Sequence, residues 1–193
     1  IIFDGTAATV TVTGLTPGTQ YYIKAYEYVR CGSGPYDYYY NVTTGTNTGN
    51  FTTCPAYTVP YFEGFESGYT HNVAVAGCLS QASVTGTQVW TANSTFTDFN
   101  RTPRTGSYNA FLRWSNEDWL FVPITLVGGT SYRVSLYARQ DGATATDSNI
   151  AISYGTSSSV AGMTNAIVAA TGIINGNYQE IVGDFIPATS GTY

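Results

Sequence analysis

Apolar and polar residues alternate along much of this chain. Val10 and Val12 sit between threonines in Thr9-Val-Thr-Val-Thr, which predicts a strand with one apolar face. Leu15-Thr-Pro-Gly then reads as a corner. Tyr21, Ile23, Ala25 and Val29 fall on alternate positions and predict a second strand running through Val29. Tyr22, Tyr26 and Tyr28 lie opposite Ile23 and Ala25 and so face outward, and Tyr36, Tyr38, Tyr39 and Tyr40 crowd the following loop. Further on, Val134, Leu136 and Ala138 face away from Arg133, Ser135, Tyr137 and Arg139. Ile150, Ile152 and Tyr154 repeat the pattern. Short strands separated by Gly, Asn and Ser turns predict an all-β chain of antiparallel sheets packed as sandwiches. No stretch carries a helical period.

Composition agrees with this reading. Hydrophobic residues make up 43% of the 193 residues and charged residues only 10%, with 17 Tyr, 9 Phe and 3 Trp. A disordered chain of such low charge would lack those aromatics, so the chain folds. The length suits one large domain or two small ones. A net charge of −5 with scattered Lys and Arg argues against nucleic acid and against an anionic membrane surface. No apolar run is long enough to span a bilayer. The chain opens inside an apolar segment without a leader, and is read as an internal piece of a longer secreted polypeptide. Low Lys, abundant Thr, Asn and Tyr, and few Cys suit a secreted bacterial protein. Sequons at Asn41, Asn50, Asn93 and Asn100 carry little weight in a chain so rich in Asn and Thr.

Leu15 to Tyr21 resembles the corner between the E and F strands of a fibronectin type III domain, with Tyr21 as the corner tyrosine. Gly49-Asn-Phe-Thr-Thr resembles that domain's closing G strand. The resemblance covers residues 1–54, the C-terminal part of such a domain only. A linker is expected at 55–60. Beyond it, Pro60-Tyr-Phe-Glu-Gly-Phe-Glu resembles the opening of the jelly-roll domains called cleaved adhesin or choice-of-anchor domains, which are related in shape to MAM domains. Asn116-Glu-Asp-Trp-Leu-Phe-Val-Pro, Gly128-Gly-Thr-Ser-Tyr-Arg-Val-Ser-Leu-Tyr-Ala-Arg and Asn149-Ile-Ala-Ile-Ser-Tyr-Gly-Thr look like later strands of that family. Cys78 is followed by Leu79, where the family commonly has Trp. The implied architecture is a partial fibronectin type III sandwich followed by an antiparallel jelly-roll β-sandwich over 61–193, with its last strand or strands missing. Such domains occur in gingipain haemagglutinin regions and other secreted surface proteins of the Bacteroidetes. The resemblance implies type IX secretion, adhesion and an extracellular location.

If residues 21–30 and 46–53 are the antiparallel F and G strands, Cys31 and Cys54 leave them at opposite ends. At ~3.3 Å per residue they stand roughly 25 Å apart, against the ~7 Å a disulfide tolerates. Cys54–Cys78 is then the natural bridge. Cys31 pairs outside the chain or stays free, and three reduced thiols are the alternative.

Candidate chemistry is sparse. A Ser-His-Asp triad would have to use His71, the one histidine, and no Gly-x-Ser-x-Gly elbow accompanies it. His71 reads as a solvated loop residue. No strand carries alternating acids as a jelly-roll glucanase would. No Cys/His cluster has zinc spacing. Related jelly rolls hold structural Ca²⁺, and the resemblance points to Glu66 and Asp118, with Asp184 added more weakly, joined by carbonyl oxygens. These acids read equally as surface residues or turn partners. Tyr22, Tyr26, Tyr28, Tyr38 and Tyr39 form a candidate ligand surface, since aromatic rings with polar tips bind at low entropic cost. They read equally as cover for a neighbouring domain. Trp90, Trp114 and Trp119 read as core or rim, with Trp119 the most buried.

The expected function is therefore non-catalytic adhesion to a glycan or protein on a cell or matrix surface, within a large multidomain protein and beside neighbouring domains of the same chain. A carbohydrate-binding accessory region of a secreted hydrolase or peptidase, and a structural subunit of an extracellular filament, are the alternatives. Neither nucleic acid nor membrane insertion is expected.

Overall fold

The computed structural model describes residues 9–34, 37–40, 47–94, 101–140, 148–173 and 176–193. Among the described residues, strands account for 45%, no helix reaches seven residues and the several antiparallel sheets form no closed barrel, so the fold is all-β. No helix among the described residues is long and apolar enough to cross a membrane. The chain divides into two compact units, Ile1–Pro55 and Ala56–Tyr193.

The first unit contains β1 (Gln20–Ala25), β2 (Tyr28–Arg30), β3 (Tyr38–Tyr40) and β4 (Asn47–Thr52). β1 pairs antiparallel with β4, with Gln20 opposite Thr52 and Ala25 opposite Asn47. The strand expected through Val29 is broken at Tyr26-Glu27, and its far part pairs with β3 instead. β3 replaces part of the expected tyrosine loop. Asp37 makes the turn possible: its Oδ2 accepts the Gly34 N–H at 2.6 Å and its carbonyl accepts the Cys31 N–H at 3.0 Å. A Cβ on Gly32 would stand 2.3 Å from that carboxylate, so a larger residue there would displace Asp37. Thr9–Thr13, expected as a strand, joins no ladder. Alternation prepares a strand, but a cross-strand partner forms it, and none of the described strands pairs with this segment.

The corner at Leu15–Tyr21 is closed by a hydrogen bond. The Thr16 N–H donates to the Tyr21 hydroxyl at 2.8 Å. Gly18 turns the chain at φ +66° and donates its N–H to the Thr53 carbonyl at 3.0 Å. Tyr21 lies opposite Phe51, with the rings stacked 5.8 Å apart.

The second unit contains β5 (Tyr57–Thr58), β6 (Val73–Ala74), β7 (Ser80–Thr85), β8 (Thr91–Ser94), β9 (Tyr108–Phe111), β10 (Glu117–Phe121), β11 (Ile124–Leu126), β12 (Tyr132–Ala138), β13 (Asn149–Tyr154), β14 (Asn165–Gly172), β15 (Gln179–Phe185) and β16 (Gly191–Thr192). The ladders run β6-β8-β9, β7-β10, β12-β15, β13-β14 and β16-β11-β5. All are antiparallel except β5 against β11, which is parallel. The segment read as a linker at 55–60 thus holds a strand of this unit. The Tyr57 N–H donates to the Pro123 carbonyl at 2.8 Å, and the Tyr57 ring packs 4.3 Å from Tyr61.

β12 follows the expected alternation, with Tyr132, Val134, Leu136 and Ala138 turned inward and the residues between them exposed. The buried core is Val75, Leu79, Ala92, Phe121, Leu126, Ile173 and Ile181. Gly183, on β15, allows β14 a close approach, since a Cβ there would meet the Ile167 and Val168 side chains at 2.7 and 2.8 Å. Cys54 and Cys78 form the expected disulfide, and Cys31 is free and exposed.

The start of β12 repeats the first unit's corner. The Val127 N–H donates to the Tyr132 hydroxyl at 2.9 Å. Gly129 has φ +76° and donates to the Pro187 carbonyl at 2.8 Å. Tyr132 lies opposite Phe185, with ring centroids 6.0 Å apart.

Candidate functional site

The tyrosines of the candidate surface stand at separate places on the two short sheets. Tyr22 is 76% exposed on β1, and its hydroxyl donates to Gln20 Oε1 at 3.0 Å. It walls an open groove of about 150 Å³ with Ile23, Lys24, Thr48, Gly49 and Asn50. Tyr26, Tyr28 and Tyr40 form a second group. The ring of Tyr40 stands 6.4 Å from Tyr26 and 5.7 Å from Tyr28, because β2 and β3 place Tyr28 opposite Tyr40. Tyr39, 69% exposed, is opposite Val29 and on the other face of the β2–β3 pair. Tyr38 occupies the register position opposite Arg30. The expected surface is therefore several surfaces, with Tyr40 belonging to the central one. Ile23 and Val29 are also exposed, so these short sheets present apolar side chains on both faces.

The three acids assigned to calcium do not form one donor set. Glu66 clamps a loop: its carboxylate accepts the Ser107 N–H at 2.8 Å and the Tyr108 N–H at 3.1 Å. Gly106 makes room for it, since a Cβ there would lie 2.2 Å from Glu66 Oε1. Asp118 is buried on β10. It accepts the Ser83 hydroxyl at 3.1 Å and the Trp90 N–H at 3.0 Å, while its carbonyl accepts the Trp90 indole N–H at 2.9 Å. Gln81 completes that network by accepting the same Trp90 N–H at 2.8 Å and donating to the carbonyls of Val75 and Trp90. Asp184 is exposed and takes a bidentate pair from Arg133 at 2.7 and 2.8 Å. The guanidinium's hydrogen bonds hold the Asp184 carboxyl below its ordinary value. Among the described residues no group of three or more His, Cys, Asp and Glu side chains could hold a metal ion. The three carboxylates accept from N–H, O–H and guanidinium donors, each at a different place in the unit.

Glu63, the other acid of the opening segment, anchors a local turn. It accepts the Phe65 N–H and lies 3.3 Å from both the Tyr61 and Tyr69 hydroxyls. Burial, reinforced by this carboxylate, pushes the Tyr69 hydroxyl up to about 12 and Tyr61 further in the same direction.

His71 is half-buried and bonded, in contrast to the solvated residue expected. Its Nδ1 accepts the Ser94 N–H at 3.1 Å and stands 3.0 Å from Ser94 Oγ. Both the N–H and the hydroxyl of Ser94 thus meet Nδ1, and the pair ties His71 to β8. Asn93 is 0% exposed and donates to Thr91 Oγ1, which withdraws this sequon from modification in the folded chain. Asn50 is exposed, and Asn41 and Asn100 lie outside the described residues.

Sequence reasoning missed Trp114. Trp90 and Trp119 are half-buried, and Trp119 stacks on Phe121. Trp114 instead stands 78% exposed at the tip joining β9 and β10, over an open groove. Its flanks, Arg113 and Ser115, are polar where Leu120 and Phe121 continue the apolar pattern beyond Trp119, and that contrast was the available signal. No protein-family model matches the chain, and comparison with curated proteins and with solved structures found no match.

Proposed function

We propose that this chain is a non-catalytic binding and adhesion region of a large extracellular bacterial surface protein, formed by the end of a fibronectin type III domain and an adhesin-type jelly roll. The Thr16–Tyr21 hydrogen bond and the antiparallel β1–β4 pair support the first assignment, since the resemblance implies both. The disulfide is compatible with an oxidising, extracellular setting. The observation that carries the functional reading is the solvent-facing aromatic surface of the first unit. There, exposed Tyr22 walls a groove, and Tyr26, Tyr28 and Tyr40 present packed rings with polar tips. Rings already packed against one another lose little freedom when a partner docks, which favours recognition. The partner class is a glycan or protein on a cell or matrix surface.

The test is binding of the fluorescently labelled chain to matrix-coated and cell-coated plates. Saturable binding is expected, weakened at least about tenfold in the Tyr22→Ala/Tyr26→Ala/Tyr40→Ala variant, the loss typical of an interface anchor. Non-saturable binding, or a triple variant that binds as the parent does, sinks this reading. A carbohydrate-binding accessory role is the second reading, and Trp114 is the observation that favours it.

A further inference from the structure

We infer that the second unit carries a saccharide-binding groove centred on Trp114. Two loops meet there, the turn after β7 and the turn before β10. Together Gly86, Thr87, Gln88, Arg113, Trp114, Ser115 and Asn116 line an open groove of about 270 Å³.

The indole is held out in solvent by a built support. Asn116 is the pin: its Oδ1 accepts the Gln88 N–H at 2.9 Å, and its Nδ2 donates to the carbonyls of Trp114 at 2.8 Å and Arg113 at 3.1 Å. One side chain thus ties both loops together. Gly86, at φ +87°, is required for it, since a Cβ there would stand 2.0 Å from Asn116 Oδ1. Ser115 is held at φ +58°, a conformation few non-glycine residues adopt without compensating contacts. The outcome is an exposed Trp on a loop fixed in advance of any ligand, where hydrophobicity alone would have folded it inward.

The chemistry of the groove selects its occupant. Trp114 is its single large apolar residue, and the remainder offers hydroxyl, amide and guanidinium groups. The Trp114 indole N–H, the Arg113 guanidinium and Gln88 Oε1 make no hydrogen bond among the described residues, so the lining of the groove offers donors and an acceptor beside an exposed ring. A pyranose matches this arrangement. Its axial C–H groups carry partial positive charge toward the electron-rich ring face, and its equatorial hydroxyls reach the polar rim. A protein hot spot would be enclosed by apolar neighbours that exclude water, and this groove has none. A nucleic acid would need more than one cation on a chain of net charge −5. The groove is shallow and smaller than the ~300–1,000 Å³ of enclosed small-molecule sites, which suits a stretch of a chain-like glycan lying across it.

The experiment uses the full chain on an array of neutral gluco-, manno-, galacto- and xylo-oligosaccharides and N-acetyllactosamine chains. A retained sugar is then titrated by tryptophan fluorescence. Saturable binding to at least one class is expected, with Trp114→Ala weakening it about thirtyfold, Trp114→Phe weakening it less, and the tyrosine triple variant leaving it unchanged. Because Trp114 is 78% exposed, its removal should leave the melting curve in place, which separates lost binding from lost folding. Retention of no sugar, equal binding by Trp114→Ala, or Trp114-dependent binding to enzymatically deglycosylated matrix protein overturns the inference. The Trp114 and tyrosine variants lie in different units, so either binding surface can fail without the other.

Discussion

Asp118 separates two accounts of the jelly-roll unit. As a calcium ligand its loss would act through the metal; as the buried acceptor seen here, through hydrogen bonds. Replacing it with alanine removes the acceptor of the Ser83 hydroxyl and one of two acceptors of the Trp90 N–H, the other being Gln81 Oε1. A hydrogen bond to a charged group is worth ~1.5–3 kcal/mol. Ser83 is exposed and turns to water, and Trp90 keeps Gln81, so the total falls to about 2 kcal/mol rather than twice the single value. For a unit of this size, ~1 kcal/mol moves the midpoint by roughly 3–4 °C, so Asp118→Ala should melt about 6–8 °C lower. Asp118→Asn should lose less than half as much. Its oxygen can keep the Trp90 N–H, and its amide can donate to Ser83 Oγ, which accepts as readily as it donates. The assay is thermal unfolding by circular dichroism, with EDTA and with millimolar CaCl₂. Equal losses in the alanine and asparagine variants would show that the charge, and not the acceptor geometry, matters. A parental midpoint that climbs with calcium would revive the metal, since only a ligand favouring the native state shifts it.

Local geometry sets two further outcomes. Tyr132→Phe deletes the acceptor of the Val127 N–H in a partly wet corner and should cost about 1 kcal/mol, or roughly 3–4 °C in the same melting assay; no change would mean water replaces the hydroxyl fully. Tyr69 ionises with greater difficulty in the folded chain than in the unfolded one, so its contribution to stability is fully present below pH 10 and is lost as pH rises toward 12. Ultraviolet titration of Glu63→Gln should show a tyrosine ionising at lower pH than in the parent, and an unmoved curve would remove Glu63 as a cause.

What the residue pattern revealed was whatever depends on neighbours in sequence. The inward face of β12 and the Cys54–Cys78 pairing derive from alternation and strand length, the turn at Leu15–Gly18 from its residues, and the place of Tyr21 in it from the resemblance to a fibronectin type III corner. What it concealed depends on partners far along the chain. Asp118 finds Ser83 and Trp90 at separations of 35 and 28 residues, and Glu66 reaches Ser107 across 41. An acid that will clamp a distant loop reads the same in sequence as one that will hold a cation. Tyr38–Tyr40 read as loop because the turn that makes it a strand rests on Asp37 reaching back to Gly34. Trp114 read as core or rim because hydropathy does not report that Asn116 will hold its loop outward.

The second tyrosine corner shows how a local instruction works in two settings. Leu15-Thr-Pro-Gly-Thr-Gln-Tyr21 and Leu126-Val-Gly-Gly-Thr-Ser-Tyr132 share Leu, Gly, Thr and Tyr at the same spacing. Each has its glycine at positive φ, its tyrosine hydroxyl bonded five residues back, and a phenylalanine across the ladder. The glycine allows the reversal, the Tyr–Phe pair buries aromatic area as the strand begins, and the hydroxyl satisfies an N–H left over by the turn. The glycine and the hydroxyl bond lie within the seven residues, and only the phenylalanine comes from the paired strand, which is why one seven-residue pattern starts a strand in both units. Beyond the corner the two strands differ. In β12 the inward residues meet Gly183 and Ile181, whereas Ile23 on β1 faces Gly49 and stays half exposed. Starting a strand is thus a property of the short pattern, and burying it is a property of the sheet that receives it.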